Sequence, residues 1–257
     1  MKSFLSLGIG KSTPTIEPPK PASGILPHQE EESLANLWVD ITKAEAGCCK
    51  LSTEIKNYRN ALKDVQDSEE KLIRDLSNSG LAVYSPQLHQ ALDEYLSVTL
   101  EMKPKTEETS GAVQLVLGDP IKQYHSLYEP LDSFRRRRDA QLIALQKSQD
   151  KLDRLKLKGK RTTDVLVERD AAQRQLKDIN KQLLTESKKF HSLRQPFLQP
   201  CIQAYVQTQV DYYGTANSHF TSQVQASRGV HQIKDAEYES IIGDHLKKIK
   251  SLNIVAM

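Results

Sequence analysis

A single heptad register runs through much of the first third of this chain. Ile41, Ala44, Cys48, Leu51, Ile55, Tyr58, Leu62, Val65, Glu69, Leu72 and Leu76 follow one another at alternating steps of three and four. Apart from Glu69, each is apolar, aromatic or small. A mean step of about 3.5 residues is the period of a helix that keeps one seam against a neighbour over many turns. Such a helix is an architectural part, and it commits the chain to long helices. No convincing run of period two occurs, so essentially no sheet is expected.

The 257 residues are 38% hydrophobic and 27% charged. That balance suits long helices with one buried seam and wide solvated faces better than a compact globule. Seven of the eleven prolines lie in the first 104 residues. Pro14, Pro18, Pro19, Pro21 and Pro27 mark residues 1–28 as a disordered, proline-rich leader. A three-helix domain is expected over 29–228, followed by a short helix and tail over 229–257.

Within that domain, helix 1 should run from Glu30 to Leu76 and loosen at Asn78-Ser79-Gly80. Pro86 restarts a shorter piece to Met102, and Lys103–Gly111 reads as a polar loop centred on Pro104. Helix 2 spans Ala112–Lys158, with bends expected at Gly118-Asp119-Pro120 and at Pro130. Gly159 ends it. Helix 3 starts at Thr163 or Asp164, kinks at Pro196 and Pro200, and ends near Gly229; Asp235–Lys250 makes the terminal helix. A 45-residue helix is roughly 65 Å long. Three such helices in one chain leave seams unsatisfied, which predicts antiparallel dimerisation. The expected dimer contacts are Leu34, Leu37, Trp38 and Ile41 with Tyr205, Tyr212 and Phe220.

The net charge of +3 hides an asymmetry. From Arg135 to Arg161 eleven Lys or Arg face three Asp, so this segment carries +8 and the rest of the chain −5. Arg135, Arg136, Arg137 and Arg138 span slightly more than one turn, so some point outward and at least one lies beside the seam. Lys147, Lys151 and Arg154 share one helical face. Lys156, Lys158, Lys160 and Arg161 crowd the tip. A basic stripe ending in a basic point suits a surface of many equivalent anions, each cation contributing roughly 1 kcal/mol at an anionic bilayer. Nucleic acid is set aside, because the stripe lacks interleaved aromatics and no base-reading module is visible.

No chemistry is legible. Gly8-Ile9-Gly10-Lys11-Ser12 lacks the first glycine, the preceding strand and the following helix of a phosphate-binding loop. The seven His show no paired ligand spacing and there is no Cys-x-x-Cys, so no metal and no cofactor is expected. Cys48, Cys49 and Cys201 read as free thiols of a reducing compartment. No apolar run reaches the roughly 20 residues a membrane span needs. The chain is read as a non-enzyme.

The segment Asp119-Pro120-Ile121 through Phe134-Arg135-Arg136-Arg137-Arg138, continued by Leu142–Leu155, resembles the second helix of the Bin/amphiphysin/Rvs (BAR) domain family. Asp178-Ile179-Asn180-Lys181-Gln182-Leu183, followed by Leu193-Arg194-Gln195-Pro196-Phe197-Leu198-Gln199-Pro200, is similar to its third. The likeness covers roughly residues 30–225 and is nearest to the short Rvs-like and bridging-integrator members. Leu145-Gln146 stands where the family usually has Tyr-Asp. The resemblance implies an all-α fold: an elongated, kinked three-helix antiparallel coiled coil forming a crescent-shaped dimer. It implies a cytoplasmic, peripheral membrane protein that senses or generates curvature on anionic phospholipid membrane in endocytosis, trafficking or cortical actin organisation. It implies a homodimer, or a heterodimer with a related BAR protein, with actin-regulatory or peptide-reading-domain proteins as further partners. The basic residues above are its implied membrane contacts. In some members a short N-terminal helix inserts into the bilayer; Lys2, Phe4, Leu5, Leu7 and Ile9 are the residues available for that here, against two glycines that weaken it. The rival reading is a coiled-coil adaptor for acidic protein partners that never touches lipid.

Overall fold

The computed structural model describes residues 16–22, 24–159, 161–226 and 235–252. Among these residues there are seven α-helices, one π-helical turn and no strand. The helices are α1 (His28–Ser77), α2 (Gly80–Val83), α3 (Pro86–Val113), α4 (Asp119–Ser126), α5 (Tyr128–Leu157), α6 (Thr163–Ala226) and α7 (Asp235–Lys250); the π turn is Gln114–Gly118.

The boundaries follow local chemistry. Pro27 precedes α1, and Glu30 and Glu31 lie in its first turn, where the helix dipole favours carboxylates. The Ser79 side chain accepts the Leu81 N–H at 3.3 Å to start α2, and Pro86 opens α3 at a position that needs no N–H. The expected bend at Gly118-Asp119-Pro120 is a π turn handing over to α4, with Pro120 in that helix's first turn. Gly159 ends α5 at φ +62°, a backbone region that favours glycine. Pro196 and Pro200 lie inside α6, and α7 has the expected bounds. Gly229 and residues 1–15 lie outside the described residues.

The expected loop at 103–111 is helix: α3 continues through Pro104 to Val113. Tertiary contacts offset the lost backbone bond. Thr106 and Thr109 are buried, and the Thr106 hydroxyl donates to Gln66 Oε1 at 3.3 Å.

The chain folds as two compact units. The first joins α1 up to Asp64 with Glu107–Val210. Its core holds Leu34, Trp38, Ile41, Cys48 and Ile55 of α1, packed with Val113, Leu117, Ile121, Tyr124, Tyr128, Leu131 and Leu183. Tyr124 stacks on Phe190 and Phe197 with ring centroids 5.2 and 5.1 Å apart. The dimer expectation for α1 is corrected here. Leu34, Trp38 and Ile41 are at most 1% exposed within one chain, so a partner can remove no further water from them. Leu37 and Tyr205 are partly buried against the same core.

The leader expectation is also corrected for the described part. Ile16 is buried in the core just described, and Ala22 and Leu26 cover Leu142, Leu145 and Leu176. Gly24 takes φ +79° in a turn closed by Ile25 N–H to the Ala22 carbonyl at 2.9 Å. Prolines read as disorder from sequence, yet the backbone of the residues around them is bonded from outside: Ile16 to Glu45, Lys20 to Asp139 and Arg138, and Ala22 to Glu31.

The second unit joins Val65–Thr106 with the chain from Asp211 onward. Gln66 Nε2 donates to the Thr99 carbonyl at 2.7 Å. Glu70 accepts from Lys103 at 3.0 Å. Tyr95 packs on Phe220 at 5.9 Å, and Gln223 donates to Glu94 at 2.9 Å. The start of α3 is therefore antiparallel to the end of α6. The α1 seam drifts in this unit. Gln66, Ile73 and Ser77 are buried, whereas Val65 and Leu72 are 57% and 67% exposed. A straight helix rotates about 20° per heptad against a strict seven-residue repeat, and by Val65 the expected seam has moved off the covered face.

Candidate functional site

The basic segment of α5 divides into an inward and an outward set. At about 100° per residue, Arg135, Arg138 and Asp139 fall on one face and Arg136 and Arg137 on the other. Arg135 donates to Asp132 at 2.6 Å and to Asp139 at 2.8 Å. Arg138 donates to Asn180 Oδ1 at 3.1 Å, to Asp139 at 3.0 Å and to Glu31 at 2.7 Å, and also to the Lys20 carbonyl. Arg138 is 1% exposed. The expectation that Arg135 and Arg138 touch a membrane is therefore corrected: their guanidinium groups are consumed by carboxylates inside the chain. A guanidinium with five fixed donors suits this better than an ammonium would.

Arg136 and Arg137 face outward. Asp132 bonds Arg136 at 2.6 Å and, with help from Glu129, holds its guanidinium above the ordinary range. Arg137 lies over the Phe134 ring, 5.9 Å from its centroid. Further along α5, Lys147, Lys151, Arg154 and Lys156 are all exposed, as are Lys158 at its C-cap and Arg161 beyond the turn. Lys147, Lys151, Arg154 and Lys158 recur at steps of four, three and four and line one shallow groove with Asp150 and Leu155. Lys151 reaches Glu168 at 3.4 Å, both side chains being more than half exposed, so water screens that pair and leaves the lysine available. Lys160 lies outside the described residues.

A second basic stripe escaped the reading by charge density. Arg174, Lys177, Lys181 and Lys188 of α6 are all exposed. Their steps of three, four and seven place them on one helical face. Asp178 and Glu186 dilute the local net charge, but the spacing alone would have found the stripe.

Among the described residues no group of three or more His, Cys, Asp or Glu is placed to hold a metal ion, and no helix is long and apolar enough to cross a membrane. Cys48 and Cys49 are free thiols pushed to higher pKa, chiefly by burial. Cys49 Sγ lies 3.1 Å from His125 Nε2. A thiol held protonated is a poor nucleophile.

The family model of the BAR domain matches residues 24–227. Bridging integrator 3 homolog of Xenopus laevis is 26% identical over 243 residues, covering 92% of this chain and 96% of that protein. Bridging integrator 3 of Homo sapiens is 23% identical over 245 residues, with the same shares covered. Protein hob3 of Schizosaccharomyces pombe is 24% identical over 180 residues, 65% of each chain. Among solved structures, the amphiphysin BAR domain from Drosophila superposes with a TM-score of 0.61 at 17% identity, covering 80% of this chain and 92% of that one. BAR domains are in general dimeric, non-enzymatic scaffolds that sense membrane curvature, and proteins that carry them are in general cytoplasmic and attached peripherally to membranes. With a family model spanning most of its length and a shared all-helical fold, this chain belongs to the BAR domain family.

Proposed function

We propose that this chain is a dimeric scaffold that binds anionic phospholipid membrane and senses or generates its curvature, in endocytosis, trafficking or cortical actin organisation. The observation that carries the reading is the outward set on α5. Lys147, Lys151, Arg154, Lys156 and Lys158 remain exposed while Arg135 and Arg138 of the same helix are drawn inward. Cations left in water along one rigid helix interact additively with a plane of phosphates, at roughly 1 kcal/mol each. The proposed contact set is Arg136, Arg137, Lys147, Lys151, Arg154, Lys156, Lys158 and Arg161, together with Lys160 of the sequence, which lies outside the described residues.

The dimer contact moves to other residues than Leu34, Trp38 and Ile41. Apolar side chains left open by a single chain include Val65 and Leu72 on α1. Tyr213 of α6, in the same unit, is open as well. A second copy covers these three. Tyr212 and Phe220 of that unit are half-buried and stay in the proposed contact. In the first unit Ile202, Val206 and Val210 of α6 are also open and recur at helical spacing.

Vesicle sedimentation tests the membrane reading. Wild type should pellet with phosphatidylserine-containing vesicles and remain in the supernatant with phosphatidylcholine alone. The variant carrying Lys147→Glu, Lys151→Glu, Arg154→Glu and Lys158→Glu should lose the pelleted fraction while keeping its helicity and its dimer mass. Equal pelleting of the two proteins, or no pelleting of the wild type, overturns the proposal; the second result favours an adaptor for acidic proteins.

A further inference from the structure

The terminal helix α7 lies beyond the span matched by the family, and nothing so far gives it a role. It has 16 residues with Gly243 at its centre. A helix of that length is marginal alone in water, and an internal glycine costs it about 1 kcal/mol. Its apolar residues fall on one stripe: Tyr238, Ile241, Ile242, Leu246 and Ile249, continued by Leu252. They are 40–57% exposed. The stripe therefore lacks the cover that would sustain the helix.

We infer that α7 pairs antiparallel with α7 of a second copy of the chain. The inference rests on the dimer proposed above and adds to it a contact outside the family's domain.

The order of the charges selects the occupant. Glu237, Glu239 and Asp244 hold the first part of the helix, and Lys247, Lys248 and Lys250 the last. Over Asp235–Lys250 four carboxylates outnumber three lysines. An anionic bilayer therefore gains little from the whole helix and meets carboxylates along its first half. A reversed copy meets the opposite charge at both ends. In the register that sets Tyr238 level with Ile249 of the second copy, Ile241 is level with Leu246 and Ile242 with His245. Tyr238–Ile249 and Ile241–Leu246 are thus apolar on both sides, and Ile242 is covered by the His245 ring. On one flank Glu239 then reaches Lys250 of the second copy, and on the other Glu237 reaches Lys248. Each pair is offset along the axis by about 3 Å at a rise of about 1.5 Å per residue, well within a lysine's span. A parallel pair would instead set Glu237 and Glu239 level with their own copies, and likewise the lysines. Tyr238, Ile242, His245, Ile249 and Leu252 also follow at steps of four, three, four and three, the seam of a two-helix coiled coil. The unit that contains α7 is the one that contains Val65 and Leu72, where a second copy is already proposed to sit.

Spin-label distances test the pairing. In the full chain, Cys48, Cys49 and Cys201 are replaced by alanine, and Gly243→Cys or Ser251→Cys is labelled and measured by double electron–electron resonance without lipid. In the proposed register the two labels at 243 are separated along the axis by about 2 Å and those at 251 by about 22 Å, from the same rise per residue. A narrow short distance at 243 and a clearly longer one at 251 are expected. Glu237→Lys with Glu239→Lys should broaden both, and adding Lys248→Glu and Lys250→Glu should restore them. Equal short distances at the two sites mean a parallel pair and overturn the inference. So do distributions that stay broad until phosphatidylserine vesicles are added, which would make the bilayer the occupant. Sedimentation velocity on the same samples separates the two levels. A monomer defeats the dimer reading and this one with it, whereas a dimer without a short 243 distance defeats only this one.

Discussion

Arg138 of α5 donates to Glu31 of α1 at 2.7 Å, and the same carboxylate accepts the Ala22 backbone N–H, also at 2.7 Å. One buried guanidinium thus ties α5 to α1 and, through Glu31, to the segment before α1. Its neighbour Arg137 has the same chemistry and faces water. Replacing Arg138 by alanine takes the guanidinium partner from Glu31, one of two from Asp139, and the donor from buried Asn180, which should destabilise the fold by about 1–3 kcal/mol. Arg137→Ala should shift stability by less than about 0.5 kcal/mol. Urea unfolding followed by circular dichroism distinguishes them, and equal midpoints would show that the ion cluster is dispensable.

The segment 16–26 should behave as part of the folded domain. Leu26 is buried against Leu142, Leu145 and Leu176. Leu26→Ala should cost at least about 2 kcal/mol, the low end for a buried leucine truncated in a packed site. Removal of residues 1–26 should lower the melting temperature further, since it also takes Ile16 from the core and the Lys20 carbonyl from Arg138. An unchanged melting temperature would return this stretch to the status of a free leader.

The long helices, their breaks at Ser79, Gly118 and Gly159, and the terminal helix were legible because each rests on local chemistry: periodicity, caps, and glycine or proline punctuation. The fold of residues 16–26 was not. Its cover is a set of distant side chains, Glu45, Asp139, Arg138 and Glu31, whose convergence no local pattern announces. The inward turn of Arg135 and Arg138 was half legible. Helical geometry says that four consecutive arginines must divide between faces, but which two go inward depends on Asp132, Asp139 and Asn180. The face shared by Lys147, Lys151 and Arg154 was legible, since spacing alone places it; that Lys158 continues the same groove was not, because its neighbours Lys156, Lys160 and Arg161 made it look like part of the tip.

The drift of the α1 seam yields an oligomer prediction. Ile73 is buried within one chain and Leu72 is open. Ile73→Ala should destabilise the fold by about 2–4 kcal/mol. Val65→Glu with Leu72→Glu should leave helicity intact and convert the dimer to monomer in sedimentation velocity. Persistence of the dimer in the double variant would move the interface elsewhere.

Glu70 gives a pH dependence with a definite sign. Hydrogen bonds from Lys103 and then Arg74 hold its carboxyl below the ordinary glutamate range. A folded pKa below the unfolded one contributes stability that is present above the unfolded value and is lost as pH falls through the folded value. Glu70→Gln should therefore melt below the parent at pH 7, and the gap should close as the pH drops below about 4.3, the unperturbed glutamate value. A gap that widens in acid would contradict the assignment.

Two basic stripes compete for the membrane. Lys147, Lys151, Arg154 and Lys158 lie on one face of α5, and Arg174, Lys177, Lys181 and Lys188 on one face of α6. Both sets are exposed, so neutralising either to glutamine should leave the fold within about 0.5 kcal/mol per site. If the α5 stripe is the contact, its glutamine variant loses vesicle binding and the α6 variant keeps most of it. Salt gives an independent reading. The Debye length falls from about 10 Å at 0.1 M to about 3 Å at 1 M ionic strength, so wild-type binding should weaken steeply between those limits. The α5 variant, with its cations already removed, should show a much flatter dependence. If the α6 variant shows the loss and the flat salt curve instead, the membrane face belongs to α6, and the α5 lysines are only a solvated surface.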